Sequence, residues 1–109
     1  MGTHRQTIGR FGEDIAARFL QRRGATVLAR NVRVGRDEID LVVALEGSLI
    51  AVEVKTRICV DPSIQLTTDK ERRLRDAAGR LRPRPHRIDL VTVEIRPSGA
   101  LVRWLRDVA

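Results

Sequence analysis

Aromatic side chains are nearly absent from this chain. Phe11, Phe19 and Trp104 are the three among 109 residues, and tyrosine does not occur. Proteins that read unstacked bases use aromatic platforms, so recognition of a backbone or a shape is expected before base readout. Cysteine is equally scarce. Cys59 stands alone, which excludes an intramolecular disulfide and a cysteine-based zinc site and suits a reducing cytoplasm. His4 and His86 lie too far apart in sequence to form a ligand motif. No apolar run approaches the ~18 residues of a membrane span. The opening Met1-Gly2-Thr3-His4-Arg5 has no apolar core of a signal peptide. No internal repeat, linker or low-complexity segment is found. The expectation is a soluble, cytoplasmic protein with one domain over residues 1–109. A chain of this size buries roughly two-thirds of its unfolded surface, enough for one core.

Charge is abundant but unevenly spread. The net charge is +7. Residues 1–36 carry +6 and residues 72–109 carry +6, whereas residues 37–71 hold eight acids against Lys55, Arg57 and Lys70, for −5. An acidic centre between basic flanks suits a cation site inside a phosphate-binding surface. It also fits a protein that merely prefers arginine.

Ile8, Phe11, Ile15, Phe19 and Leu20 recur at helical spacing and predict an amphipathic helix over 8–23. Gly24 follows as its stop. A short strand is expected over 25–30, with a separate extended piece over 32–36 turning at Gly35. Glu38–Leu45 and Ser48–Arg57 read as two strands of a hairpin. Residues 58–67 read as a loop containing Pro62. Thr68 to Glu71 form a capping box that opens a helix over 69–82, with Leu74, Ala77, Ala78 and Leu81 as its apolar stripe. Pro83 and Pro85 stop it. Strands over 87–95 and 100–105 close the chain. A three-strand meander, a helix and two more strands imply a mixed α/β sheet with helices packed on it.

The hairpin carries the chemistry. A turn on Glu46 and Gly47 pairs Leu45 with Ser48, so opposed residues have numbers summing to 93 and Asp40 falls opposite Glu53. Opposed residues share a face, and Lys55 lies two residues along on it. Two carboxylates roughly 4–5 Å apart repel by about 4 kcal/mol at an effective dielectric near 20. Leu41, Val42, Val43, Ala51 and Val52 make both strands central, where unbalanced acids are disfavoured. A hard divalent cation, Mg²⁺ or Mn²⁺, is the natural counter-ion. Two acids and a lysine around such an ion suit phosphodiester chemistry. The same register places Glu38 opposite Lys55, so a plain salt bridge is the competing role for Lys55.

Glu13, in Gly9-Arg10-Phe11-Gly12-Glu13, falls off the expected apolar stripe. It is either a solvated acid or a third acid leaning over the hairpin. Lys70, Arg72, Arg73 and Arg57 are the candidates for phosphate contact. Asp89 opens an apolar strand and reads as half of a structural salt bridge.

The ordered set of these motifs resembles the YraN family of bacterial proteins. The resemblance rests on Gly9-x-x-Gly12-Glu13, Ala16-Ala17, Leu20, Gly24, Arg30-Asn31-x-Arg33, Glu38-Ile39-Asp40-Leu41-Val42, Val52-Glu53-Val54-Lys55-x-Arg57, Thr67-x-x-Lys70, Arg87-x-Asp89 and Trp104-Leu105-Arg106-Asp107. The chain departs from the family in having Asp37 where Gly is usual, and in Ile58-Cys59-Val60-Asp61-Pro62, where an aromatic-Gly pair is usual. The family resembles the restriction-endonuclease-like superfamily and is similar to archaeal Holliday-junction resolvases, which are dimeric. That likeness implies Glu13, Asp40, Glu53 and Lys55 as the site and Asp40, Glu53 and Glu13 as metal ligands. It further implies nucleic acid, DNA above all, as partner, and is compatible with a homodimer. The expectation is a metal-dependent nuclease acting on DNA, branched DNA included. The alternatives are a non-catalytic nucleic-acid-binding module of the same fold and a protein-interaction adaptor.

Overall fold

The computed structural model describes the backbone of residues 4–58 and 68–109 and the side chains of residues 7–58 and 72–109. Cys59, Pro62 and most of the expected 58–67 loop fall outside the described residues, as do the side chains of the Thr68–Glu71 capping box.

Seven elements follow in order: α1 (His4–Arg22), β1 (Thr26–Val34), β2 (Asp37–Leu45), β3 (Ser48–Ile58), α2 (Thr68–Arg80), β4 (Arg87–Arg96) and β5 (Gly99–Leu105). The strands form one sheet in the order β1-β2-β3-β4-β5. β3 and β4 are parallel and the other neighbours antiparallel. A parallel pair needs a long crossover, and α2 lies within it. This is the expected mixed α/β sheet, in the order helix, three strands, helix, two strands.

Glu46 and Gly47 form the β2–β3 turn with φ of 50° and 81°. Positive φ at both central residues is what a two-residue hairpin turn of right-handed twist requires. The ladder then runs from Leu45/Ser48 to Leu41/Val52, in the expected register.

Each face of the sheet carries one helix. Ala16, Ala17 and Leu20 of α1 pack on Leu41, Val43, Ile50, Val52, Val91 and Val93. Leu74, Ala77 and Ala78 of α2 pack on Ile39, Val42, Ala51 and Ile88. Burying a side chain such as Leu20 or Leu41 contributes about 1.5–3 kcal/mol. β3 and β4, covered on both sides, are buried nearly without alternation.

Two expectations are corrected. The expected strand over 25–30 and extended piece over 32–36 are one strand, β1, because pairing with β2 resumes at Val32/Ile39 after Asn31. The stripe of α1 does not run through Phe11, which is 54% exposed. It runs through Gly12, Ala16, Ala17 and Leu20. Small residues there let the helix lie close on the sheet, and a Cβ on Gly12 would fall 1.8 Å from Thr56 Oγ1.

Asp89 is fully buried and structural, as expected. Its carboxylate accepts from Arg87 Nε at 3.0 Å, Trp104 Nε1 at 2.8 Å and the Asp107 backbone N–H at 2.9 Å. It thereby ties β4, β5 and the residues after β5 together.

Candidate functional site

β2 and β3 part company at one point. Their ladder ends at Leu41/Val52. Beyond it β2 stays with β1 as far as Asp37/Val34, and β3 stays with β4 as far as Ile58/Ile95. The two strands therefore fork, and backbone groups on their inner edges lose ladder partners. Asp40 is the first residue of β2 past the last pair, and its Oδ2 accepts the Val54 N–H at 2.8 Å. The carboxylate replaces the missing ladder acceptor, so the fork leaves no orphan there.

A cleft of about 510 Å³ opens at this fork under the first half of α1. Glu13, Asp40, Glu53 and Lys55 all line it. Glu53 is 8% exposed. Lys55 Nζ stands 3.6 Å from Glu53 Oε1, as residues two apart on one strand face allow. The ladder that would have set Lys55 opposite Glu38 ends before it reaches them, so Glu53 replaces Glu38 as the expected salt-bridge partner.

Glu13 is half-buried rather than solvated. The true stripe of α1 starts at Gly12, which turns Glu13 towards the sheet. Gly9, one turn earlier, has nothing within 4 Å of where a Cβ would be. It leaves the mouth of the cleft open.

The electrostatics show carboxylates that are crowded. Asp40 is pushed up from 3.8 to about 8, first by burial and then by the charge of Glu53. Glu13 and Glu38 push the same way, and the Val54 hydrogen bond opposes them. Glu13 is also raised, by burial and by Glu38, with Arg30 and Asn31 opposing. With its amide turned so that nitrogen faces both acids, Asn31 donates to Glu38 Oε1 at 2.9 Å and to Glu13 Oε1 at 3.0 Å.

The basic candidates separate. Arg73 is exposed and lines a second cleft of about 250 Å³ that reaches Glu53 from the α2 side, together with Arg36 and Glu38. Arg57 and Arg72 are exposed and line neither cleft. Lys70 belongs to α2, and its side chain lies outside the described residues.

Sequence reasoning missed Asn31 and Arg36 and gave Glu38 a different role. Asparagine is depleted in strands and tolerates positive φ. Asn31 within the run Val27 to Val34 was the available signal.

The family model for uncharacterised protein family UPF0102 matches residues 12–93. The chain belongs to UPF0102, the YraN family. A UPF0102 protein of Solibacter usitatus is 43% identical over 109 residues, covering 90% of this chain and 82% of the relative. One from Streptomyces coelicolor is 43% identical, covering 96% and 90%. One from Dictyoglomus turgidum is 35% identical, covering 89% and 90%. Among solved structures, Pyrococcus furiosus SfsA in complex with Ca²⁺ is similar at a TM-score of 0.44 and 14% identity, over 93% of this chain and 63% of that one.

Among the described residues, no helix is long and apolar enough to cross a membrane.

Proposed function

We propose that this chain is a Mg²⁺- or Mn²⁺-dependent nuclease acting on DNA, branched DNA included. The observation that carries the reading is the fork cleft, where Asp40 and Glu53 crowd each other beside Lys55. A half-buried carboxyl pushed up to about 8, first by burial and then by the charge of a second acid beside it, fits a cation ligand without its counter-charge. The donor set fits a hard cation, since it is all carboxylate oxygen. Among the described residues no three His, Cys, Asp or Glu side chains are gathered for an ion. Asp40 and Glu53 are therefore the pair that would hold it, with Glu13 reaching it through water.

When bound, the ion supplies positive charge and Lewis acidity beside the scissile phosphate. Val54 N–H fixes the Asp40 carboxylate in place before any ligand arrives. Glu53 holds the Lys55 ammonium at the edge of the same cleft. From there Lys55 orients the attacking water and takes up part of the negative charge that grows in the transition state.

The test is single-turnover cleavage of labelled duplex, flap, junction and RNA substrates with Mn²⁺, alongside binding and melting of the same proteins. Lys55→Ala should bind substrate nearly as wild type and cut at least ~100-fold more slowly. Lys55→Arg keeps the charge but not the compact ammonium, and should recover cleavage only in part. Unchanged cleavage by Lys55→Ala overturns the assigned role. Binding without cleavage of any substrate by the wild type replaces the nuclease with a non-catalytic nucleic-acid-binding module of the same fold.

A further inference from the structure

Within β1, Asn31 alone has a positive φ, of 52°. Its effect on the strand is visible in its neighbours. Arg30 pairs with Asp14 of α1 at 2.6 Å, whereas Val32 packs with the core under α2. Residues two apart on a regular strand share a face; here they point to opposite faces. The kink at Asn31 makes that switch and lies beside Asp40, midway between the Arg30/Leu41 and Val32/Ile39 pairs.

The first half of α1 has little apolar support for Glu13. Gly9 meets nothing within 4 Å, and Phe11 is exposed. Asn31 supplies polar support instead. Its one amide nitrogen carries two hydrogens, and the two acceptors are Glu38 Oε1 at 2.9 Å and Glu13 Oε1 at 3.0 Å. Glu13 and Glu38 repel each other; the Arg30 charge offsets this in part, and the Asn31 donor is the contact that reaches both acids. An arginine or lysine there would keep the acids ionised but would compete with the cation for them. Serine offers one hydrogen, not two. Asparagine combines two neutral donors with tolerance of positive φ.

We infer that Asn31 is a positioning residue whose amide ties Glu13 of α1 to Glu38 of β2 and so holds Glu13 at the Asp40–Glu53 cleft. The inference rests on the reading of that cleft as a cation-dependent site, and concerns how its third acid is kept there.

Asn31→Gly is the informative variant, because glycine accepts the same φ and removes only the amide. Calorimetric titration with Mn²⁺ should give about 10-fold weaker binding than wild type, the scale typical of losing a group that orients a ligand. The melting temperature without metal should not fall. In a Glu13→Ala background the same substitution should add nothing further, because its target is already gone. A metal-free measurement stands beside these. The Asn31 side-chain amide resonances should shift in both Glu13→Gln and Glu38→Gln. Unshifted resonances, or wild-type Mn²⁺ affinity in Asn31→Gly, overturn the positioning role and leave the nuclease reading intact. Wild-type protein that takes up no Mn²⁺ at millimolar concentration overturns both.

Discussion

Asp40 is held in two ways that oppose each other: burial and the Glu53 charge favour its neutral form, while the Val54 N–H favours the carboxylate. The net shift is upward, to about 8, and its sign fixes a pH dependence. A carboxyl whose folded value lies above its unfolded value, about 4, contributes full stability below pH ~4 and loses it as pH climbs through about 8. Metal-free wild type should therefore lose melting temperature between pH 5 and pH 8.5 relative to Asp40→Asn, which has no such proton to lose. At pH 7 the same carboxyl is largely protonated, so Mn²⁺ uptake should release close to one proton. Calorimetry in two buffers of different ionisation enthalpy measures it, and no proton release would mean that Asp40 is already ionised in the metal-free protein. The register that brings Asp40 and Glu53 to one cleft was legible as far as Leu41/Val52, because a two-residue turn and a period-2 strand leave one register; the fork that keeps Asp40 from pairing with Glu53 was not. Asn31 was not, because a single left-handed residue inside a strand changes which face its neighbours take without changing the hydrophobic pattern that marks the strand.

The elements themselves were legible wherever apolar periodicity and turn residues agree. β4 and β5, the Glu46-Gly47 hairpin and the α2 stripe of Leu74, Ala77 and Ala78 emerge close to their expected bounds. The face of α1 was not legible. Large apolar residues set the apparent stripe through Phe11, but closeness of approach decided the real one, and that depends on what the sheet offers at Thr56. Two glycines one turn apart on α1 then have opposite roles, and opposite responses are expected. Gly12→Ala places a Cβ 1.8 Å from Thr56 Oγ1 and 2.7 Å from Thr56 Cβ. The helix must lift, at a cost of about 1–3 kcal/mol, and carry Glu13 away from the cleft. Gly9→Ala meets open space and should stabilise the helix by about 1 kcal/mol. Denaturant unfolding of the two variants checks the pair of signs. Equal effects would mean that α1 does not sit on β3 as closely as Gly12 implies. Thr56→Ala should rescue Gly12→Ala only in part, since the Cβ contact at 2.7 Å remains.

Over the whole molecule, the +7 charge is less telling than which guanidiniums are already committed. Arg30 pairs with Asp14, Arg80 with Asp37, Arg87 with Asp89 and Arg96 with Glu94. The first two tie one element to another, and the last two lie within β4. Arg36 and Arg73 have no ion-pair partner among the described residues, and both line the cleft that reaches Glu53 from the α2 side. If a nucleic-acid strand approaches Glu53 through that mouth, those two side chains meet its phosphates. Each phosphate contact on a duplex contributes roughly −0.9 to the slope of log affinity against log salt. Arg36→Gln and Arg73→Gln should each flatten the slope by about that amount. Arg96→Gln, which removes the same charge from a committed pair, should leave it unchanged. Binding measured across a salt series for these three variants distinguishes a phosphate path from a diffuse basic surface. Equal flattening by all three would assign the arginines to net charge alone, and affinity that is absent even at low salt would turn the reading towards a protein partner.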